Sequence, residues 1–248
     1  MTLIDTDTKH KLREMGVGAL ADSFEMQDDV ITVGMPFAER LKLAVDDAHA
    51  SFTGQKITGL IRRAALRYPD AELRRLDLVE ERGIDRGVIA NLATCTFITR
   101  CENVVFQGFT GSGKTYLVCA LGTQACRQGL SAKYYQVSKL LSDLHMAKGD
   151  GTTPKLLNAL AKTDLLVLDD FGLAPLNAIE SRDILEIIDD RCQRRSTIVA
   201  AQLPIEHWYD RIADPTVADA LLDRLVHNAH KLNLKLKGES MRKLLNQP

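Results

Sequence analysis

The chain has 248 residues, of which 45% are hydrophobic and 26% charged, with a formal net charge of −1. That is enough apolar material for one ordinary core, with room for a small appendage. It excludes a protein drawn to polyanions by overall charge, so any nucleic-acid surface must be a local patch. Five cysteines, an odd number with no CxxC pair, argue against a disulfide framework or structural zinc site. The first residues lack an apolar signal core, and no apolar run approaches the roughly 20 residues of a membrane helix. The expectation is a soluble cytoplasmic protein without a membrane partner.

The first hundred residues read as helical. One helix is expected from about Thr8 to Met26. A second opens at Pro36, suited to a first helical turn, and carries Phe37, Leu41, Leu43 and Val45. A third is expected from about Gln55 to Tyr68, ended by Pro69. Ile57, Ile61, Ala64 and Tyr68 would share one face of it, and Lys56, Arg63 and Arg67 another. From Gln55 to Arg75 there are six basic residues against two acidic ones. Lys56, Arg62, Arg63, Arg67, Arg74 and Arg75 are therefore candidates for phosphate contact on DNA, although such a cluster is also what a solvated helix face looks like. Residues 1–75 are expected to form a small all-helical domain, with the rest of the function in 76–248.

From about Asn103 strands and helices alternate. Strands are expected at Asn103–Gln107, Ala132–Val137, Leu165–Leu168 and Thr197–Ala201. Leu232, Leu234 and Leu236 suggest a fifth. Helices are expected at Lys114–Gln128, Ser138 to about Lys148, a short one ending at Lys162, about Ala178–Arg194, and two pieces around Ile205–Ile212 and Thr216–His227. This alternation implies an α/β fold with a parallel sheet covered on both faces.

Two motifs on those strands carry chemistry. Residues 108–115, GFTGSGKT, fit GxxxxGK[ST] at every fixed position and stand between an apolar strand and a helix. Glycines let successive backbone N–H groups point at phosphate oxygens, and the helix N-terminus favours negative charge. Gly108, Thr110, Gly111, Ser112, Gly113, Lys114, Thr115 and Tyr116 are thus candidates for binding ATP or ADP. Lys114 is suited to the β- and γ-phosphates and the Thr115 hydroxyl to Mg²⁺. Downstream, the apolar strand 165–168 ends in Asp169 and Asp170. Asp169 stands where an acid would hold Mg²⁺, and Asp170 where a carboxylate could orient or deprotonate the attacking water. Most ATPases of this architecture carry Glu at the second position, so the shorter Asp170 leaves efficient hydrolysis open.

Around these motifs the sequence resembles the IstB family, ATP-binding helpers of insertion-sequence transposition. The resemblance lies in LLVLDDFGLAPL (residues 165–176), RSTIVAAQLPIEHWY (195–209) and DPTVADALLDRLVHNAHKLNLKLKGESMRK (214–243). It extends to LREMGVGALADSFE (12–25) and RRAALR (62–67), and so covers nearly the whole chain. The helicase loader DnaC is a more distant relative with the same ATPase core. The resemblance implies an AAA+ P-loop fold with a five-stranded parallel sheet behind a small helical N-terminal domain. It implies ATP binding with Mg²⁺, self-assembly on duplex DNA with little sequence preference, and delivery of target DNA to an IstA-type transposase in a bacterial cytoplasm. By position, Gln202 matches the sensor polar residue at the end of the fourth strand and Arg224 the arginine finger supplied to a neighbouring subunit. Arg242 matches a second sensor.

Three other readings remain at this point. A replicative helicase loader of the DnaC type would share the ATPase core. A small-molecule P-loop kinase would need an arginine-rich lid, which is not apparent after the fourth strand. An ATP-gated scaffold that does not hydrolyse is compatible with Asp170.

Overall fold

The computed structural model describes residues 4–27, 32, 34–75, 83 and 85–235. The chain divides into two compact units, 1–59 and 60–248.

The first unit is helical. Helix α1 (Thr6–Glu14) starts at Asp5, whose carboxylate accepts from the Thr8 backbone N–H at 2.9 Å, satisfying one of the donors a helix start leaves open. The single helix expected from Thr8 to Met26 is two. Gly16 takes a φ of +75°, which ends α1, and α2 (Gly18–Met26) begins after it. A left-handed residue just past a helix end is a common stop and favours glycine. Lys9 pairs with Glu25, and Arg13 with Asp22 at 3.1 Å. The Ser23 hydroxyl donates to Asp47 at 2.8 Å.

Helix α3 (Phe37–Ala64) spans 28 residues and replaces the two helices expected after Pro36. The division between the units falls inside it, whereas the sequence reading placed a boundary after residue 75. Leu60, Ala64, Leu66 and Ala71 all belong to the core of the second unit. The helix stops at Ala64, ahead of the expected end at Tyr68, because Ala65 turns to a φ of +51°.

The second unit is a five-stranded sheet in the order β2-β3-β4-β1-β5, with every neighbour parallel. The strands are β1 (Asn103–Gly108), β2 (Ala132–Gln136), β3 (Leu165–Phe171), β4 (Ser196–Ala201) and β5 (Ala229–Leu234). The last strand expected through Leu236 begins at Ala229 instead, and Leu236 lies outside the described residues. The central strands are buried on both faces, and their side chains alternate between two cores, as the period of two requires. Val104, Phe106, Val167, Ile198 and Ala200 face one core; Val105, Leu166, Leu168, Val199 and Ala201 face the other.

The first core is covered by α6 (Lys114–Arg127), by residues 60–71, and by two short helices that the patterning does not announce, α4 (Arg86–Ala93) and α5 (Thr96–Thr99). The second is covered by α7 (Val137–Asp150), α8 (Thr153–Lys162), α9 (Ala178–Arg191) and α10 (Pro215–Val226). The expected helical piece at 205–212 is two 3₁₀ turns, Ile205–His207 and Tyr209–Arg211, around the fully buried Trp208. Trp208 packs on Phe171, ring centroids 4.7 Å apart, and its indole N–H donates to the Leu203 carbonyl at 2.9 Å. No described helix is long and apolar enough to cross a membrane.

Arg191, at the end of α9, is 1% exposed. Its guanidinium donates to the carbonyls of Leu160, Thr163 (2.8 Å) and Ser196 (2.5 Å) and to the Thr197 hydroxyl (3.2 Å). It thereby ties the end of α8 to the start of β4. Burial pulls its pKa down to about 9, helped by nearby Arg195 and opposed by Asp164. That is still well above neutrality, so the group is charged and all its protons are available. Replacing it with an apolar residue strands three carbonyls. Arg191→Leu is expected to lower unfolding stability by roughly 3 kcal/mol, measured by urea denaturation.

Candidate nucleotide-binding site

The site lies at the carboxyl ends of the parallel strands, where open α/β sheets place their ligands. β1 ends in Gly108, whose φ is +148°. A Cβ there would lie 2.3 Å from the carbonyl oxygen of Leu234 on β5, so only glycine lets the chain leave the strand at this point. The loop then curls into α6, which starts at Gly113 (φ +95°) with no side-chain cap. The N–H groups of the first turn are therefore available to an anion, and the helix dipole favours one there.

Lys114 is 7% exposed and folds back over this loop. Its ammonium donates to the carbonyls of Gly108 and Phe109, the latter at 3.0 Å. Burial lowers its pKa, while Asp169 and Asp170 act the other way. A phosphate beside it would restore the favourable charge environment that burial removes. Ser112, inside the loop, is fully buried, and its hydroxyl has no hydrogen-bond partner, the one such side-chain atom among the described residues. A buried orphan hydroxyl in this glycine-rich loop fits a phosphate-holding loop.

Asp169 is 1% exposed at the end of β3. One carboxylate oxygen, Oδ2, accepts from the Thr115 hydroxyl at 2.9 Å and from the Tyr134 hydroxyl at 2.8 Å. The other accepts from the backbone N–H of Asp170 at 3.0 Å. Burial raises the Asp169 pKa, opposed chiefly by the bonds from Tyr134 and Thr115. Among the described residues no group of three or more His, Cys, Asp or Glu side chains converges as a metal cage. Thr115 beside a single carboxylate is a pair of oxygen donors that would fit a hard divalent cation such as Mg²⁺.

Asp170 follows with a φ of +58°, and the pairing of β3 with β4 shifts register between Leu168 and Phe171. The shift turns Asp170 out of the sheet and toward the loop. The Gln136 amide donates to it at 3.1 Å and the Gln202 amide at 3.4 Å. Gln202 in turn accepts from the Thr110 hydroxyl at 2.7 Å. The residue at the end of β4 thus links the phosphate loop to the second carboxylate.

Of the expected site residues, Thr110, Gly111, Gly113, Lys114, Thr115, Tyr116, Asp170 and Gln202 line one pocket. Asp169 underlies it through Thr115. Arg224 does not line it. It lies on α10, paired with Asp189 and donating to the Ala220 carbonyl at 3.0 Å. Arg242 lies outside the described residues. The candidate DNA residues do not share one helix face. Lys56, Arg62 and Arg63 are exposed on α3, Arg74 is exposed in a 3₁₀ turn (Leu73–Arg75), and the Arg75 side chain lies outside the described residues. Arg67, expected beside Arg63, falls beyond the helix end and lines the nucleotide pocket with Tyr68. Tyr134 and Gln136, which hold the two carboxylates, were not singled out in the sequence. No signal in the sequence marks them, because their role depends on β2 pairing with β3.

A five-stranded parallel sheet with a P-loop leaving β1 and paired carboxylates ending β3 defines a P-loop nucleotide-binding protein of the AAA+ fold. Comparison with known proteins agrees and goes further. Residues 10–247 match the family model described as IstB-like ATP binding protein, and the chain belongs to that family. It is 40% identical over 237 residues to a Sinorhizobium fredii protein named for insertion-sequence ATP binding, covering 95% of this chain and 96% of that one. Among solved structures it resembles the DnaC helicase loader (TM-score 0.57, 19% identity, 69% of this chain and 100% of that one). It also resembles AMPPCP-bound DnaA from Aquifex aeolicus (TM-score 0.59, 18% identity, 73% and 54%). At those identities the two structures speak for the fold alone.

Lys114→Ala removes the one buried cation of the loop. It is expected to weaken ATP binding roughly 100-fold, the effect of losing a desolvated charge contact, as read by titration with a fluorescent ATP analogue.

Proposed function

We propose that this protein is an ATP-dependent helper of insertion-sequence transposition that assembles with its own copies on duplex DNA and presents that DNA to a transposase. The observation that carries the reading is the division of the site. The phosphate loop, Lys114, Thr115 and Asp170 line one pocket within one chain, while Arg224 stands off it on α10, paired with Asp189. A second subunit packed against the pocket would bring its own Arg224 to the terminal phosphate, where a guanidinium stabilises transition-state charge. ATP then becomes part of the contact between subunits. Membership of a family named for ATP binding, and likeness to a relative named for an insertion sequence, supply the biological setting.

Thr115 and Asp169 would hold Mg²⁺, which would offset the negative charge of the phosphates. Lys114 would exchange its loop carbonyls for the β- and γ-phosphates. Asp170, fixed by Gln136 and Gln202, is placed to orient water and accept its proton. Gln202 joins Thr110 to Asp170 and would report an occupied loop to the water-positioning carboxylate. Exposed Lys56, Arg62, Arg63 and Arg74 suit DNA phosphates, giving affinity that falls with salt and depends little on sequence. Arg75 belongs to the same basic run, and Arg242 would be a second sensor. The DNA-binding part would lie within residues 1–75, of which 60–71 also pack into the ATPase core that continues through 76–248.

Two outcomes test the reading. Asp170→Asn is expected to keep ATP binding within a few-fold while lowering duplex-stimulated hydrolysis about 100-fold or more. Arg224→Ala is expected to bind ATP normally and lose roughly 1,000-fold in hydrolysis. Mixed with Lys114→Ala subunits, which retain Arg224 but lack a working loop, it is expected to regain activity. No recovery on mixing would contradict a shared site. Capture of a replicative helicase in place of an IstA-type transposase would move the function to helicase loading.

A further inference from the structure

Residues 65–72 form a strap that leaves α3 and is fastened along α6. Leu66 is buried against Gly122, where an added Cβ would lie 2.7 Å from its side chain. The Thr123 hydroxyl donates to the Pro69 carbonyl at 3.1 Å. The Glu72 backbone N–H donates to the Tyr116 hydroxyl at 3.1 Å, and the Glu72 carboxylate pairs with Arg127 at 3.0 Å. Between these anchors the strap turns Arg67 and Tyr68 into the wall of the nucleotide pocket, opposite Gly111, Gly113 and Lys114.

Arg67 is held there by an aromatic ring. Its guanidinium carbon lies 5.8 Å from the centroid of the Tyr68 ring, within cation–π range. Partial burial opposes its charge, but Tyr68, Tyr134 and Asp169 favour the charged form and raise its pKa. Tyr68 packs in turn on Tyr116, ring centroids 6.1 Å apart. The pocket therefore carries a second cation besides Lys114, on a segment braced at both ends. Guanidinium is suited to this place because it is always charged and presents paired donors to phosphate.

We propose that Arg67 is a phosphate-binding residue of the nucleotide site, closing the strap over the polyphosphate of bound ATP from within the same chain. The inference rests on the reading of this pocket as the ATP site. It removes Arg67 from the basic set that the sequence offers to DNA. Nucleotide held between Arg67 and the loop would tie residues 65–72 to the phosphates and make the strap sensitive to occupancy.

The test is titration of the full chain with a fluorescent ATP analogue and Mg²⁺, using wild type, Arg67→Ala, Arg67→Lys and Arg100→Ala. Arg100 is exposed and outside the pocket, and it controls for net charge. Arg67→Ala is expected to weaken binding at least tenfold. Arg67→Lys should recover part of the loss, because the charge remains without the paired donors. Arg100→Ala should match wild type. In wild type, ATP is expected to slow amide hydrogen exchange at 65–72, and Arg67→Ala should abolish that slowing. Thermal melting without nucleotide separates this from simple misfolding, since Arg67→Lys should melt like wild type. Arg67→Ala binding ATP within twofold of wild type would overturn the inference. Should it instead weaken nucleotide-free duplex binding while sparing ATP, Arg67 belongs to the DNA surface. If wild type itself fails to bind ATP, the proposed function falls, and this inference with it.

Discussion

A carboxylate with almost no access to water at the end of a buried strand is costly unless its oxygens are hydrogen-bonded. Asp169 is that carboxylate, and the site is organised around satisfying it. The Thr115 hydroxyl comes from the first turn of α6, the Tyr134 hydroxyl from β2, and the Asp170 N–H from the next peptide. These donors pin the helix after the phosphate loop to the two outer strands of one half of the sheet. The loop is placed because the helix is placed, and Lys114 is directed inward because it occupies the first position of that helix.

The second carboxylate obeys a different constraint. Asp170 lies in the left-handed region, where few side chains other than Asn and Asp are comfortable. The β3–β4 register shift that creates this geometry also turns its side chain toward the loop. The shorter acid is therefore consistent with the local backbone, and Gln136 and Gln202 hold it from both sides. Backbone shape and side-chain length agree here, and this bears on the question of hydrolysis that the sequence left open.

Much of this was legible before any coordinates. A short continuous apolar run such as Leu165–Leu168, ending in two Asp, reads as a strand buried on both faces, and the spacing of GFTGSGKT marks which strand ends in a phosphate loop. Local signals failed where tertiary contacts decide. Nothing between Pro36 and Pro69 announces one 28-residue helix, because the apolar positions drift around it with no sustained stripe. Gly16 is a helix stop that the surrounding helical pattern of 8–26 masks. Arg67 shows the limit most clearly. A helical wheel groups it with Arg63, but the turn at Ala65 removes it from that face, and only the packing of Leu66 and Pro69 on α6 shows where it goes. Tyr134 and Gln136 are ordinary strand residues until β2 is known to lie beside β3.

ATP is proposed to join subunits on DNA. Sedimentation velocity of the purified protein on random-sequence duplex, with and without ATP and Mg²⁺, tests it most directly. The account predicts large complexes only with ATP, lost in Arg224→Ala despite normal nucleotide binding. A protein that stays monomeric on duplex with ATP, or assembles equally without nucleotide, would contradict it.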